Sequence, residues 1–152
     1  REHLQTCVRR GRFAFRDGVS DLLAQLQRRR VPLLIFSAGL ADIVEEVLRQ
    51  HLPDAAASRD VNVISNRMVF GEGGTVVGFE PRDRPIHTLN KGAVGMIKGS
   101  RHHDLSKERT SVVLLGDSLG DLHMADGLDN RQHVLSVGFL NDKVADRFDQ
   151  FL

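Results

Sequence analysis

Two short runs of apolar residues, each passing straight into a glycine-marked polar turn, constrain this chain more than any other feature. Val31 to Phe36 (VPLLIF) runs into Ser37-Ala38-Gly39, and Ser111 to Leu115 (SVVLL) runs into Gly116-Asp117-Ser118. Neither run alternates apolar with polar residues, which is the pattern of strands buried on both faces of a parallel sheet. Helical periodicity flanks them. Val19, Leu22, Leu23 and Leu26 form one stripe within 17–30, with Asp17 as the expected N-cap and Arg28-Arg29-Arg30 at the negative end of the dipole. Pro32 blocks continuation of that helix. Leu40, Ile43, Val44, Val47 and Leu48 form a second stripe directly after the first turn. Further along, Asn62 to Asn66 is expected as a strand, and Met68 to Phe70 with Thr75 to Phe79 as a hairpin around Gly71-Glu72-Gly73-Gly74. Lys91 to Lys98 is expected as a short helix, residues 99–110 as a polar surface connection, and the second turn opens a short helix through about Ala125. Val134 to Val137 is expected as a third strand, and Asp142 to Leu152 as a helix with Val144, Phe148 and Phe151 inward. Strands alternating with helices predict an α/β layered fold with a mostly parallel sheet and a β-hairpin insertion.

Composition narrows the function classes. At 152 residues the chain is one domain's worth, and 41% hydrophobic with 27% charged residues is ordinary for a folded globular protein. The net charge of +1 offers no global attraction to nucleic acid or to an anionic membrane. No apolar run approaches the ~18 residues a spanning helix needs. The single cysteine, Cys7, excludes an internal disulfide framework and a cysteine-cluster metal site. All eight aromatic residues are Phe, which argues against stacking platforms for single-stranded nucleic acid. The polar N-terminus shows no secretory signal, so a cytoplasmic location is expected. Charge is unevenly spread: residues 1–30 carry a net +5, residues 31–116 balance ten bases against ten acids, and residues 117–152 carry a net −4. The basic start reads as a solvated helix end. The first two acids of the acidic end, Asp117 and Asp121, sit in the second polar turn.

In open parallel sheets, ligands bind off the carboxyl ends of strands. The Ser37-Ala38-Gly39 turn offers a hydroxyl and backbone N–H groups at a helix start, which suits an anion. The second turn offers the carboxylates of Asp117 and Asp121, four residues apart, and carboxylate oxygens there suit a hard cation such as Mg²⁺. Lys91, in Asn90-Lys91-Gly92, is the candidate for a point charge on phosphate oxygens. An anion site beside a cation site is what a phosphate ester with bound Mg²⁺ requires.

These residues bring a family into view. The chain resembles the haloacid-dehalogenase superfamily of phosphohydrolases, and within it the cytosolic pyrimidine 5′-nucleotidase family, which includes 7-methylguanosine-phosphate-specific members. The likeness runs through Ile35-Phe36-Ser37-Ala38-Gly39, Glu45-Glu46 with Arg49-Gln50, Ser65-Asn66 before Met68, Ile86-His87, Asn90-Lys91, Leu114 to Asp121, Met124-Ala125-Asp126-Gly127 and Gly138-Phe139-Leu140-Asn141-Asp142. The resemblance implies a three-layer Rossmann-like fold and hydrolysis of a nucleoside 5′-monophosphate through an aspartyl-phosphate. It implies that Ser37, Ala38 and Gly39 hold the phosphate, Lys91 neutralises its charge, Asp117 is a direct Mg²⁺ ligand, and Asp121 orients Lys91 or the metal shell.

The family's nucleophile motif, Asp-x-Asp-x-Thr/Val at the end of a first strand, is not found here, and most of the helical cap that recognises the base has no counterpart before Ser37. The expectation is a chain in which residues 1–16 return from a missing cap and 17–152 form a partial core, inactive alone, with the nucleophile Asp outside it. Two other readings remain. One is a catalytically inactive fragment or pseudo-enzyme acting as a binding partner. The other takes Gly116-Asp117-Ser118-Leu119 as the signature of GDSL-type serine esterases, with Ser118 as nucleophile, but only 34 residues follow Ser118 and Asp129 lies four residues before His133. His102-His103-Asp104 reads as a solvated segment rather than a metal site, and His87 as a loop residue near Lys91 in sequence. Base specificity and oligomeric state are not legible.

Overall fold

A computed structural model describes residues 2–83, 85–87, 99–126, 128 and 130–150. The chain divides into two compact units, Arg1–Ile86 and His87–Leu152. The first contains α1 (Glu2–Arg10), α2 (Val19–Arg28), β1 (Leu33–Leu40), α3 (Ala41–His51), α4 (Pro53–Ala57), β2 (Val61–Phe70) and β3 (Val76–Glu80). Its sheet has the order β1-β2-β3. β1 and β2 are parallel, with Leu33 to Phe36 in register with Val61 to Ile64. Two parallel neighbours need a crossover rather than a tight turn, and α3 with α4 supplies it. β2 and β3 are antiparallel, pairing Arg67 with Glu80 and Met68 with Phe79, so the expected hairpin forms. The short strand expected at 62–66 and the first arm of that hairpin are one continuous ten-residue strand.

α3 packs on β1 and β2 and also meets α1. The buried core of this unit is built from Val8, Leu23, Phe36, Ala41, Leu48, Ala55 and Ile86. Among them lies an acid, Glu46, only 8% exposed. Its carboxylate accepts from Arg49 Nε at 2.9 Å, from Arg49 Nη2 and from Gln50 Nε2. Gln50 Nε2 also donates to the Gln5 carbonyl of α1 at 3.0 Å. These donors, Arg49 first, hold Glu46 well below the ordinary carboxylate range, at about 2. The apolar stripe of α3 gives no hint of this, because a buried acid is tolerated only when its acceptors are filled.

The second unit contains α5 (Arg101–Ser106), β4 (Ser111–Gly116), a 3₁₀ segment (Leu119–Ala125), β5 (His133–Gly138), α6 (Val144–Arg147) and a 3₁₀ turn (Phe148–Gln150). β4 and β5 are parallel, with Ser111 to Gly116 in register with His133 to Gly138. Leu114 and Ala125 are buried here.

Several expectations are corrected. α2 starts at Val19, and its N-cap is Gly18 at φ +81° with no side-chain bond, so Asp17 does not cap it. Residues 99–110 are not a bare connection: they hold α5, whose start is capped by Ser100 Oγ accepting from His103 N at 3.3 Å. The apolar run of β4 predicts burial on both faces, yet Val113 and Leu115 are 59% and 40% exposed, with their register partners Leu135 and Val137 at 60% and 37%. An apolar run reports what a strand can bury; a covering layer decides whether it does. The same holds for Val144 and Phe148, which are exposed rather than inward. The short helix expected over 91–98 and the side chain of Phe151 lie outside the described residues.

Candidate active site

The Ser37-Ala38-Gly39 segment is a bulge, not a turn that ends the strand. Phe36 pairs with Ile64 and Leu40 pairs with Asn66, so three residues of β1 stand opposite the single residue Ser65 of β2. Bulges re-aim side chains and are frequent beside active sites. The bulge is tied down from β2. Ser65 Oγ donates to the Gly39 carbonyl at 2.8 Å, and Asn66 Nδ2 donates to the Ala38 carbonyl at 2.9 Å. Inside the bulge, Gly39 N–H donates to Ser37 Oγ at 3.1 Å. The hydroxyl therefore accepts from the backbone and keeps its own proton to donate to a ligand oxygen. A Cβ on Gly39 would stand 3.2 Å from Ser37 Oγ, a tight approach. Ala41 starts α3 immediately afterwards, so the bulge lies against the positive end of an eleven-residue helix.

The second turn follows β4. Asp121 is 5% exposed, and its Oδ2 accepts from the backbone N–H groups of Asp117 and Ser118, both at 3.1 Å. Asp121 N–H in turn donates to the Ser118 carbonyl at 3.0 Å. Gly116 makes this possible: an added Cβ would stand 2.4 Å from both Cβ and Oδ2 of Asp121. Asp117 is the exposed partner, and Asn141 Nδ2 donates to its Oδ2 at 3.2 Å. The two acids thus differ in kind. Asp121 shapes the loop from inside, and Asp117 presents its carboxylate outward from the strand end. A cavity of about 240 Å³ lies beside them, lined by Gly116, Ser118, Asp121, Leu122, Ser136 and Gly138. Its volume lies below the ~300–1,000 Å³ of a typical small-molecule site.

For a magnesium ion, the donor set fits as one outward carboxylate. Magnesium is commonly held by one or two carboxylates with water and substrate phosphate completing the shell, and Asp117 with its Asn141 support meets that description. Among the described residues no group of three His, Cys, Asp or Glu side chains assembles into a metal cage. His102 is not solvated as expected: its Nδ1 is buried without a hydrogen-bond partner, and burial, then neighbouring His103, pushes its pKa down. Among the described residues no imidazole hydrogen-bonds Ser118 Oγ, the nucleophile of the serine-esterase reading.

Ser37, Ala38 and Gly39 belong to the first unit, Asp117 and Asp121 to the second, and Lys91 lies outside the described residues. His87 is exposed. Three supporting residues do not stand out chemically in the sequence: Ser65, Asn66 and Asn141. Their signal is a small polar residue interrupting a strand or following one, which by itself is commonplace.

A family model described as pyrimidine 5′-nucleotidase (UMPH-1) matches residues 1–152. The chain belongs to the pyrimidine 5′-nucleotidase family. Its similarity to 7-methylguanosine phosphate-specific 5′-nucleotidases is 41% identity over 145 residues with the protein of Gallus gallus, covering 95% of this chain and 48% of that relative. With the Homo sapiens protein it is 39% over 145 residues, covering 95% and 46%. The crystal structure of cytosolic 5′-nucleotidase IIIB bound to cytidine superposes with a TM-score of 0.80 at 34% identity, over 99% of this chain and 47% of that one. The chain thus spans about half the length of the relatives it matches. The likeness establishes the fold of this pyrimidine 5′-nucleotidase family member as α/β of the haloacid-dehalogenase type.

Proposed function

We propose that the protein carrying this chain is a Mg²⁺-dependent 5′-nucleotidase that hydrolyses pyrimidine or 7-methylguanosine 5′-monophosphates to nucleoside and phosphate in the cytoplasm. The observation that carries the reading is that both polar segments, the Ser37 bulge and the Asp117 turn, lie at the carboxyl ends of parallel strands, where α/β folds bind ligands. The names of the relatives support the substrate class, and the likeness to a cytosolic 5′-nucleotidase supports the cellular location.

In this reading residues 17–152 are part of the catalytic core and residues 1–16 return from a cap. Ser37 donates its hydroxyl proton to a phosphate oxygen, with the amides of Ala38 and Gly39 beside it. Lys91 lends positive charge to the same phosphate. Asp117 holds Mg²⁺, and Asp121 keeps the 116–118 loop in the shape that lets it do so. When bound, the metal ion neutralises phosphate charge as it develops. The phosphoryl group passes to the carboxylate of an aspartate outside this chain as its bond to the nucleoside 5′ oxygen breaks and that oxygen gains a proton to leave as the nucleoside hydroxyl; water then attacks phosphorus, releasing phosphate and restoring the carboxylate.

Release of phosphate from CMP, UMP and 7-methylguanosine monophosphate tests the reading directly. The full-length gene product is expected to turn over at least one of them with Mg²⁺, Asp117→Asn is expected to abolish turnover, and the 152-residue chain alone is expected to be inactive. A full-length protein inert on all three, or an Asp117→Asn variant with wild-type kcat, overturns the assignment.

A further inference from the structure

We propose that Asn66, seconded by Ser65, is a positioning residue for the phosphate-binding bulge, acting through the backbone of residues 38 and 39. This rests on the reading of the Ser37 bulge as the phosphate site.

The carboxamide of Asn66 works on two pieces of chain at once. Its Nδ2 donates to the carbonyls of Ala38 at 2.9 Å, Gly39 at 3.3 Å and Ile86 at 2.9 Å. Its Oδ1 accepts from Ile86 N–H at 2.8 Å. Ser65 Oγ adds a second donor to Gly39 O at 2.8 Å. In a trans peptide the carbonyl of one residue and the N–H of the next point to opposite sides. Pinning the Ala38 carbonyl toward Asn66 therefore turns Gly39 N–H the other way, onto Ser37 Oγ. One relay follows: Asn66 Nδ2 to Ala38 carbonyl, through the 38–39 peptide, to the Ser37 hydroxyl. Bonds linked in this way polarise one another, so Asn66 sets both where the hydroxyl lies and which of its atoms is left to face a ligand.

Only a carboxamide serves. The Ile86 pairing needs an acceptor and a donor on one planar group, and the bulge needs donors alone. Aspartate has nearly the same shape and keeps the acceptor, but it would set a carboxylate oxygen against three carbonyl oxygens. Ile86 is itself 4% exposed and stands five residues before Lys91 in the sequence, so the same clamp fixes the last described part of the first unit.

The test uses the full-length protein with two inhibitors, inorganic phosphate and the nucleoside product. Asn66→Asp is expected to lower kcat/KM about 100-fold, since displacing reacting groups by an ångström costs about that much. It is expected to weaken inhibition by phosphate strongly while leaving inhibition by nucleoside within twofold of wild type. General damage to the fold would weaken both alike and would overturn the proposal, as would a folded Asn66→Asp variant with wild-type phosphate inhibition. If that variant does not fold, Ser65→Ala removes only one bond to Gly39 O. It is expected to weaken phosphate inhibition about fivefold, and an unchanged constant there also overturns the proposal. A wild-type protein without nucleotidase activity would instead refute the reading of the site itself.

Discussion

Gly116→Ala is the smallest change that should dismantle the acidic turn. The new methyl would stand 2.4 Å from Asp121 Cβ and Oδ2 and 2.7 Å from its Cγ. Carbon contacts settle near 3.5–4.0 Å, so the Asp121 side chain must retreat by about an ångström. That movement stretches both bonds that Oδ2 accepts from Asp117 and Ser118 N–H, each now 3.1 Å. A hydrogen bond to a charged group contributes about 1.5–3 kcal/mol, so losing the pair destabilises the fold by at least about 3 kcal/mol. With an m-value of ~1–3 kcal/mol/M, the urea midpoint falls by at least about 1 M. Asp117 rides on the same loop, so kcat/KM should also fall by about 100-fold. Gly78→Ala is the control: a Cβ there meets nothing within 4 Å, and it should stay within about 0.5 kcal/mol of wild type. Urea unfolding and nucleotide hydrolysis on the full-length wild type and the two full-length variants decide the matter. A Gly116→Ala variant with an unshifted midpoint and full activity would show that Asp121 does not hold the turn as described.

Two further expectations concern the first unit. Glu46→Gln should lower stability near neutral pH, and the difference from wild type should shrink as pH falls. The folded-state pKa is depressed from 4.5 to about 2, so the stabilisation is fully present above about 4.5 and fades toward 2; parallel curves across that window would contradict it. Ser37→Ala should leave the free energy of unfolding within about 1 kcal/mol of wild type, since the residue lies in a bulge and its hydroxyl accepts one backbone bond. It should nonetheless cut kcat/KM by at least about tenfold, and equal activity would remove Ser37 from the site.

Much of this protein is legible in one dimension. The runs at 31–36 and 111–115 announce parallel strands, and the glycine cluster at 71–74 announces a hairpin, because apolar continuity and turn chemistry are local properties. The candidate site residues at 37, 117 and 121 stand out for the same reason, being polar groups that follow apolar runs. What tertiary structure alone decided is how each of them is held. Asp117 and Asp121 are the same residue type four positions apart, yet one is exposed and the other is buried against two amides, because Gly116 leaves room for only the second to turn inward. Ser37 lies in a bulge and not a turn because β2 offers Ser65 alone opposite three residues. The clamp at Asn66 joins residues 20 to 28 positions away, and the buried Glu46 depends on Arg49 and Gln50, with Gln50 also reaching Gln5 of another helix. Periodicity carries the preference of each segment for a face. Which donors meet which acceptors is set only when the chain closes on itself, since a hydrogen bond is specified by the position of both partners.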